Sequence, residues 1–167
     1  MNKIVIGFSK PKKWKPFAAL IMWGYQIPYD HVYIRFHSDT YDRDLIYQAS
    51  GLAVNFMGKP LFDSANYTVK EFEVDISDEN KKEMIQFAID NSGKPYSIKD
   101  IFGLIWTRIN EIFGRKIKNP VKDGGSSWVC CELAAYILEK FAGKDIPEDL
   151  SDITPKSLYE YMVKIHG

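Results

Sequence analysis

The chain has few cysteines and no excess of charge of either sign. Its 167 residues include two cysteines, Cys130 and Cys131, which are adjacent. A disulfide between neighbours is strained and closes no useful loop, so a disulfide-stapled fold is excluded and two free thiols are expected. Because 22 basic residues balance 22 acidic residues, no overall field favours nucleic acid or an anionic membrane, and we expect no nucleic-acid partner.

Long apolar runs are also missing. The most apolar stretch of the first half, residues 17–23, falls far short of the roughly 20 residues that a membrane span requires. The apolar run near Met1 is too short for a signal peptide, and no small-residue cleavage site follows it. These absences predict a soluble, cytoplasmic protein without stable membrane insertion. The length and the 46% apolar content fit one domain over residues 1–167.

Alternation of apolar and polar residues predicts strands in the first half of the chain. The clearest strand begins at His31 and alternates through Phe36. Other strands are predicted at 4–8, 45–49, 52–56 and 67–76. Helical spacing and capping residues predict helices at 16–24, 77–91, 101–113, 126–142 and from 155 onward. Strands that precede most of the helices indicate an α+β fold, with an antiparallel β-sheet packed against helices.

Both cysteines fall in the first turn of a helix that Ser126 or Ser127 is expected to cap. Unpaired backbone N–H groups and the helix dipole favour a thiolate at that position. Cys130 shares one apolar stripe with Ala134, and Cys131 shares another with Ala135 and Leu138. Periodicity therefore does not choose between the two thiols, and burial as two small hydrophobic side chains is the alternative.

A cysteine nucleophile requires a base, and the chain offers three histidines. His166 is next to the last residue. His37 follows the alternating part of its strand and is expected in a turn. His31 begins a strand, where a rigid scaffold can aim it. Adjacent cysteines lack the C-x-x-C spacing of a zinc site, so the sequence predicts no metal and no cofactor.

Four segments carry a resemblance to a known family. They are YDHVYI at 29–34, YQASG at 47–51, GKPYS at 93–97 and WVCCEL at 128–133. In their order they resemble the permuted NlpC/P60 (papain-like) superfamily of cysteine hydrolases, in its amidase branch, where a strand reads His-Val-x-Ile and a later helix reads Cys-Ser-Glu-Leu. The resemblance spans roughly residues 4–158 and implies a circularly permuted papain-like fold.

The same resemblance assigns roles to residues. It makes Cys130 the nucleophile, His31 the general base and Gln48 the polar residue that orients the imidazole. Glutamate is common at the third place, and a glutamine can hold the His tautomer but cannot stabilise an imidazolium by charge. That role could instead fall to Asp30 or Ser50. The oxyanion would bind the backbone N–H of the nucleophile, with the Tyr29 hydroxyl as a candidate second donor.

These residues lead us to expect a thiol hydrolase, an amidase, peptidase or esterase that forms an acyl-enzyme on Cys130. A small peptide, a cell-wall peptide or an acyl lipid is the expected substrate, and the protein is expected to be a monomer or a weak oligomer. One alternative is an acyltransferase resembling the lecithin–retinol type, with an acyl chain held along residues 101–113 or 17–23. The other is a binding module with weak or no activity, for which Gln48 gives a reason.

Overall fold

A five-stranded antiparallel sheet lies at the centre of the computed structural model, which describes residues 2–51, 53–95, 103, 106–108, 110–111, 113–115, 128–150 and 152–167. The sheet has the order β4-β3-β2-β1-β5. Its strands are β1 (Asn2–Pro11), β2 (His31–Ser38), β3 (Arg43–Ser50), β4 (Ala53–Gly58) and β5 (Asn66–Ile76). The α+β class and the antiparallel sheet predicted from the sequence are therefore confirmed.

Five helices have described bounds. They are α1 (Pro16–Tyr25), α2 (Lys59–Ala65), α3 (Asp78–Asn91), α4 (Cys130–Ala142) and α5 (Pro155–His166). Most of the apolar stripe predicted over 101–113 lies outside the described residues, as do Ser126 and Ser127. Of the helices that the structure describes, none has the length and apolar character needed to cross a membrane.

Capping residues explain where two of the helices begin. The Ser77 hydroxyl accepts the N–H of Asn80 at 3.0 Å and starts α3, and Thr154 starts α5 in the same way. The start expected for α4 was wrong, because Val129 is its N-cap and the helix begins at Cys130. The helix thus begins later than predicted, and Cys130 is its first residue. At this position the backbone N–H groups have no partner within the helix.

One face of the sheet carries the main core. Apolar side chains alternate inward along β1 and β2 and pack against α4, α5 and α3, and each of the following is at most 3% exposed: Ile4, Ile6, Phe8, Val32, Ile34, Phe36, Leu133, Ile137, Leu158 and Met162. Burial of an aliphatic side chain of this size contributes about 1.5–3 kcal/mol. α4 packs across β2 and β3, and this packing fixes the position of its N-terminus.

A short helix covers part of the opposite face. α2, which the sequence analysis left unassigned, packs Phe62 against Tyr33 and Ile46, with Met57 at the edge of the cluster. The ring centroids of Tyr33 and Phe62 are 4.5 Å apart. This second, smaller core places α2 beside the beginning of β2, where the candidate site lies.

Candidate active site

The candidate site lies where β2 and β3 stop pairing. Their ladder ends at Ile34 and Tyr47, although β2 still pairs with β1 as far as His31 and β3 pairs with β4 as far as Ser50. The backbone groups of residues 31–33, at the start of β2, are therefore not paired with β3. α4 enters at this opening, and the sulfur of Cys130 accepts a hydrogen bond from the backbone N–H of Val32.

A chain of hydrogen bonds determines which nitrogen of His31 carries a proton. Asn55 Nδ2 donates to the carbonyl oxygen of Ala53 at 3.0 Å, which leaves Asn55 Oδ1 to accept from Gln48 Nε2 at 3.3 Å. Gln48 Oε1 then faces His31 Nε2 at 2.7 Å. Because an amide oxygen only accepts, Nε2 is the protonated nitrogen. The other ring nitrogen, Nδ1, is left for the hydrogen bond with Cys130.

Cys130 has the environment of an acidic thiol. Its side chain is only 3% exposed. Hydrogen bonds from the Cys131 thiol and from His31, the charge of His31 and the N–H of Val32 together lower the pKa of Cys130 well below its usual range, against the opposing effect of burial. The first position of a helix also favours the anion. These contacts favour the thiolate form of Cys130.

His31 has the complementary environment. Burial lowers its pKa, but the hydrogen bond and charge of Cys130, the charge of Asp30 and the bond to Gln48 outweigh burial, so that the pKa of His31 is raised. A lowered thiol pKa beside a raised imidazole pKa favours a thiolate–imidazolium pair. Burial raises the pKa of Asp30, against the charge of His31, which lowers it; in its ionised form Asp30 favours a protonated His31, which the neutral Gln48 cannot do by charge.

Cys131 points to a different part of the molecule. It is fully buried, and its thiol donates to the carbonyl oxygen of Ile153, with Sγ 3.2 Å from that oxygen. The hydrogen bond to Cys130 and burial raise the pKa of Cys131. The Cys131 S–H is shared between the Ile153 oxygen and the Cys130 sulfur, whereas His31 bonds to Cys130 through its own ring nitrogen. The contacts of the two thiols therefore distinguish Cys130 from Cys131, which helical periodicity could not do.

The other two histidines lie away from both cysteines. His37 belongs to β2 and not to a turn as expected, and its Nδ1 is 3.1 Å from Asp44. His166 Nε2 is 2.7 Å from the carbonyl oxygen of Glu73. Within the described ranges, no three His, Cys, Asp or Glu side chains form a group that could hold a metal ion.

Tyr29, the candidate second donor for the oxyanion, has the contacts of a core residue. It is 2% exposed. Its ring stacks on Tyr159 and meets Phe8 edge to face, both with centroids 5.1 Å apart. It lines a separate cavity of about 260 Å³. The backbone N–H of Cys130 is therefore the better-supported donor for an oxyanion.

A cavity of about 690 Å³ opens beside His31. At its polar end lie Asp30, His31, Gln48 and Ser50. The Oδ1 atom of Asp30 is buried and has no hydrogen-bond partner among the described residues. The other walls are mostly apolar and include Pro11, Phe17, Ala18, Ile21, Met57 and Leu61. His31 lines the cavity and Cys130 does not.

Sequence reasoning missed Asn55. The residue lies opposite Gln48 in the register of β3 and β4, and a register cannot be read from either strand alone. The available signal was weak: a lone amide between the apolar side chains of Val54 and Phe56. Val32 was predicted only as a core residue, and the sequence gives no sign that its N–H faces the nucleophile.

The chain matches no protein-family model and no curated protein at a significant level.

Proposed function

We propose that this protein is a cysteine hydrolase, with a circularly permuted papain-like (NlpC/P60) fold, that cleaves an amide or ester bond through an acyl-enzyme on Cys130. One observation carries the proposal: the Cys130 thiol is hydrogen-bonded to His31, whose Nε2 donates to Gln48 Oε1 at 2.7 Å. These three side chains come from α4, β2 and β3. A thiol, an imidazole and an orienting amide in this order are the parts that nucleophilic catalysis by cysteine requires.

In the first half of the reaction, the thiolate of Cys130 attacks the carbonyl carbon of the substrate. The carbonyl oxygen becomes an oxyanion, which accepts a hydrogen bond from the backbone N–H of Cys130. When the tetrahedral intermediate collapses, the bond to the leaving amine or alcohol breaks, and His31 Nδ1 gives its proton to that group. The product of this half is a thioester on Cys130.

In the second half, water attacks the thioester. His31 Nδ1 now accepts a proton from the water, and the bond between the acyl carbon and Cys130 breaks. The acid leaves, and the thiolate–imidazolium pair is restored. Throughout, the Gln48 carbonyl keeps Nε2 protonated and keeps the ring aimed at the thiol, while Asp30 stabilises the positive charge on His31.

The apolar cavity supports an apolar group on the substrate. Phe17, Ala18 and Ile21, from the stretch 17–23 that the sequence singled out, form part of its wall. The same observation supports the second candidate, a lecithin–retinol-type acyltransferase, in which an acceptor other than water takes the acyl group. A binding module with little activity is the third possibility, and the experiment below separates all three.

The test is formation of an acyl-enzyme from p-nitrophenyl butyrate, an ester that releases a coloured leaving group. After an acid quench, peptide mass spectrometry should find the butyryl group on Cys130. Cys130→Ser should abolish the adduct, and His31→Ala should slow its formation by about 10²–10⁴-fold, the usual contribution of a general acid–base residue. Cys131→Ser is the matched control and should keep most of the activity.

Three outcomes decide among the candidates. Turnover that yields free butyrate supports a hydrolase, whereas a butyryl product formed only when an added alcohol or amine is present supports an acyltransferase. An adduct on Cys131, or no adduct on a correctly folded chain, contradicts both and favours the binding module.

A further inference from the structure

An exposed, basic and aromatic surface borders the cavity. The segment between β1 and α1 contains Lys13, Trp14 and Lys15, and Trp14 is 78% exposed. Leu61 on α2 is 64% exposed. Lys15 and Leu61 both line the cavity, and Lys13 and Trp14 directly precede Lys15 in the chain. These four residues are called the rim surface.

The rim surface is held in place by hydrogen bonds to α2. The backbone N–H of Lys12 donates to the carbonyl oxygen of Ala65 at 2.9 Å. The Lys12 ammonium donates to the carbonyl oxygen of Asp63 and lies 5.2 Å from the ring centroid of Tyr67. Lys12 therefore links the segment that contains Trp14 to the helix that contains Leu61. These contacts fix the backbones of the two exposed apolar residues relative to each other.

The charge of the rim surface is positive. Lys13 and Lys15 are exposed, and the acidic residue of α2, Asp63, is already paired with Lys59 at 2.6 Å. The whole chain has a net charge of zero, so this excess of positive charge is local. A tryptophan and a leucine exposed beside lysines match the layers of an anionic bilayer, in which phosphates lie outside and acyl chains beneath them.

We propose that the rim surface docks on an anionic phospholipid bilayer. Trp14 and Leu61 insert at the level of the headgroups, and the ammonium groups of Lys13 and Lys15 contact the lipid phosphates. An acidic protein partner would satisfy the lysines, but the apolar cavity that opens among them fits a surface with acyl chains just below its charges. Docking itself does not depend on Cys130. Its consequence, that the cleaved acyl group belongs to a bilayer lipid, rests on the proposed function.

The test is co-sedimentation of the full chain with vesicles of phosphatidylcholine alone or mixed with phosphatidylserine. Binding should require phosphatidylserine and weaken as salt is added. Lys13→Gln should reduce the partition coefficient about fivefold, as expected for one basic residue near an anionic surface. Trp14→Ala should reduce it about tenfold through lost apolar burial.

Two variants elsewhere are matched controls. Trp23 is 66% exposed and lies on the side of α1 away from Ala18 and Ile21, which line the cavity. Lys82 is exposed on α3. α3 follows the end of β5 that lies opposite to the rim surface. Trp23→Ala and Lys82→Gln should leave vesicle binding unchanged.

Several results would overturn the proposal. They are equal binding to both kinds of vesicle, no binding, or a loss caused by Trp23→Ala and not by Trp14→Ala. A dimer in sedimentation velocity that Trp14→Ala dissociates would assign the rim surface to a second copy of the chain. Docking should persist in Cys130→Ser. If acylation of Cys130 is found without vesicle binding, docking alone fails; if vesicle binding is found without acylation, the proposed function fails.

Discussion

At the scale of single residues, the candidate site is a thiol whose acidity is set by its neighbours. The motifs around His31 and Cys130 were enough to select these two residues and Gln48 from the sequence. The motifs could not identify Asn55 or the N–H of Val32, because their positions depend on strand register and on where the β2–β3 ladder ends. Local patterns thus predicted the three side chains that the fold brings together, and only the pairing of strands revealed the groups around them.

Asn55 offers a test of the hydrogen-bond chain behind His31. Asn55→Leu removes the acceptor for Gln48 Nε2, so the Gln48 amide is free to turn its NH₂ toward His31. We expect acylation of Cys130 near neutral pH to slow about fivefold, the effect of one hydrogen bond of about 1 kcal/mol. The apparent pKa of Cys130, measured from the pH dependence of the rate, should rise.

Asn55→Asp is the matched variant, because a carboxylate still accepts from Gln48 Nε2. It should keep more of the acylation rate than Asn55→Leu, because the Gln48 amide stays oriented toward His31. If both variants lose activity equally and unfold at lower temperature without a change in the profile, Asn55 has a structural role only.

At the scale of elements, capping patterns predicted α3 and α5 well, since Ser77 and Thr154 act as the sequence indicates. α2 was missed because it has only 7 residues and no side-chain cap, and so short a helix has little periodicity to detect. The start of α4 was wrong because serines looked like better caps than Val129, although tertiary packing places the N-terminus at Cys130.

Gly7 provides a test of how β1 and β2 meet on the face that α2 partly covers. A Cβ at Gly7 would lie 2.1 Å from the ring of Tyr33. That ring is fully buried, and its hydroxyl is hydrogen-bonded to Thr68 and Glu71, so it cannot move cheaply. Gly7→Ala should cost about 1–3 kcal/mol of unfolding free energy and lower the Tm in a thermal melt by roughly 2–12 °C.

Gly24→Ala is the control for this substitution. Among the described residues, nothing outside the backbone of its own helix lies within 4 Å of the position of its added Cβ, and alanine favours a helix over glycine by about 0.5–1 kcal/mol. Its Tm should equal or exceed that of the wild type. If Gly7→Ala melts at the same temperature as Gly24→Ala, the packing of Tyr33 on β1 is not as described.

At the scale of the whole molecule, the order of predicted elements gave the α+β class but not the topology. The neighbours β1 and β5 are far apart in the sequence, and their ladder runs from Asn2 with Ile76 to Pro11 with Asn66. No local pattern indicates such a pairing. The fold brings His31, near the start of the chain, to Cys130, near its end, and the proposed activity depends on that long-range contact.

The most direct test of this contact is the pH dependence of Cys130 alkylation by iodoacetamide, with the modified residue located by mass spectrometry. Because the pKa of Cys130 is lowered and that of His31 is raised, the thiolate should persist well below the free-thiol pKa of about 8.5. Wild-type Cys130 should therefore react selectively at pH values where a free thiol is protonated. His31→Ala should move the titration upward toward the free-thiol value. Faster reaction of Cys131, or the same Cys130 titration with and without His31, would contradict the thiolate–imidazolium pair.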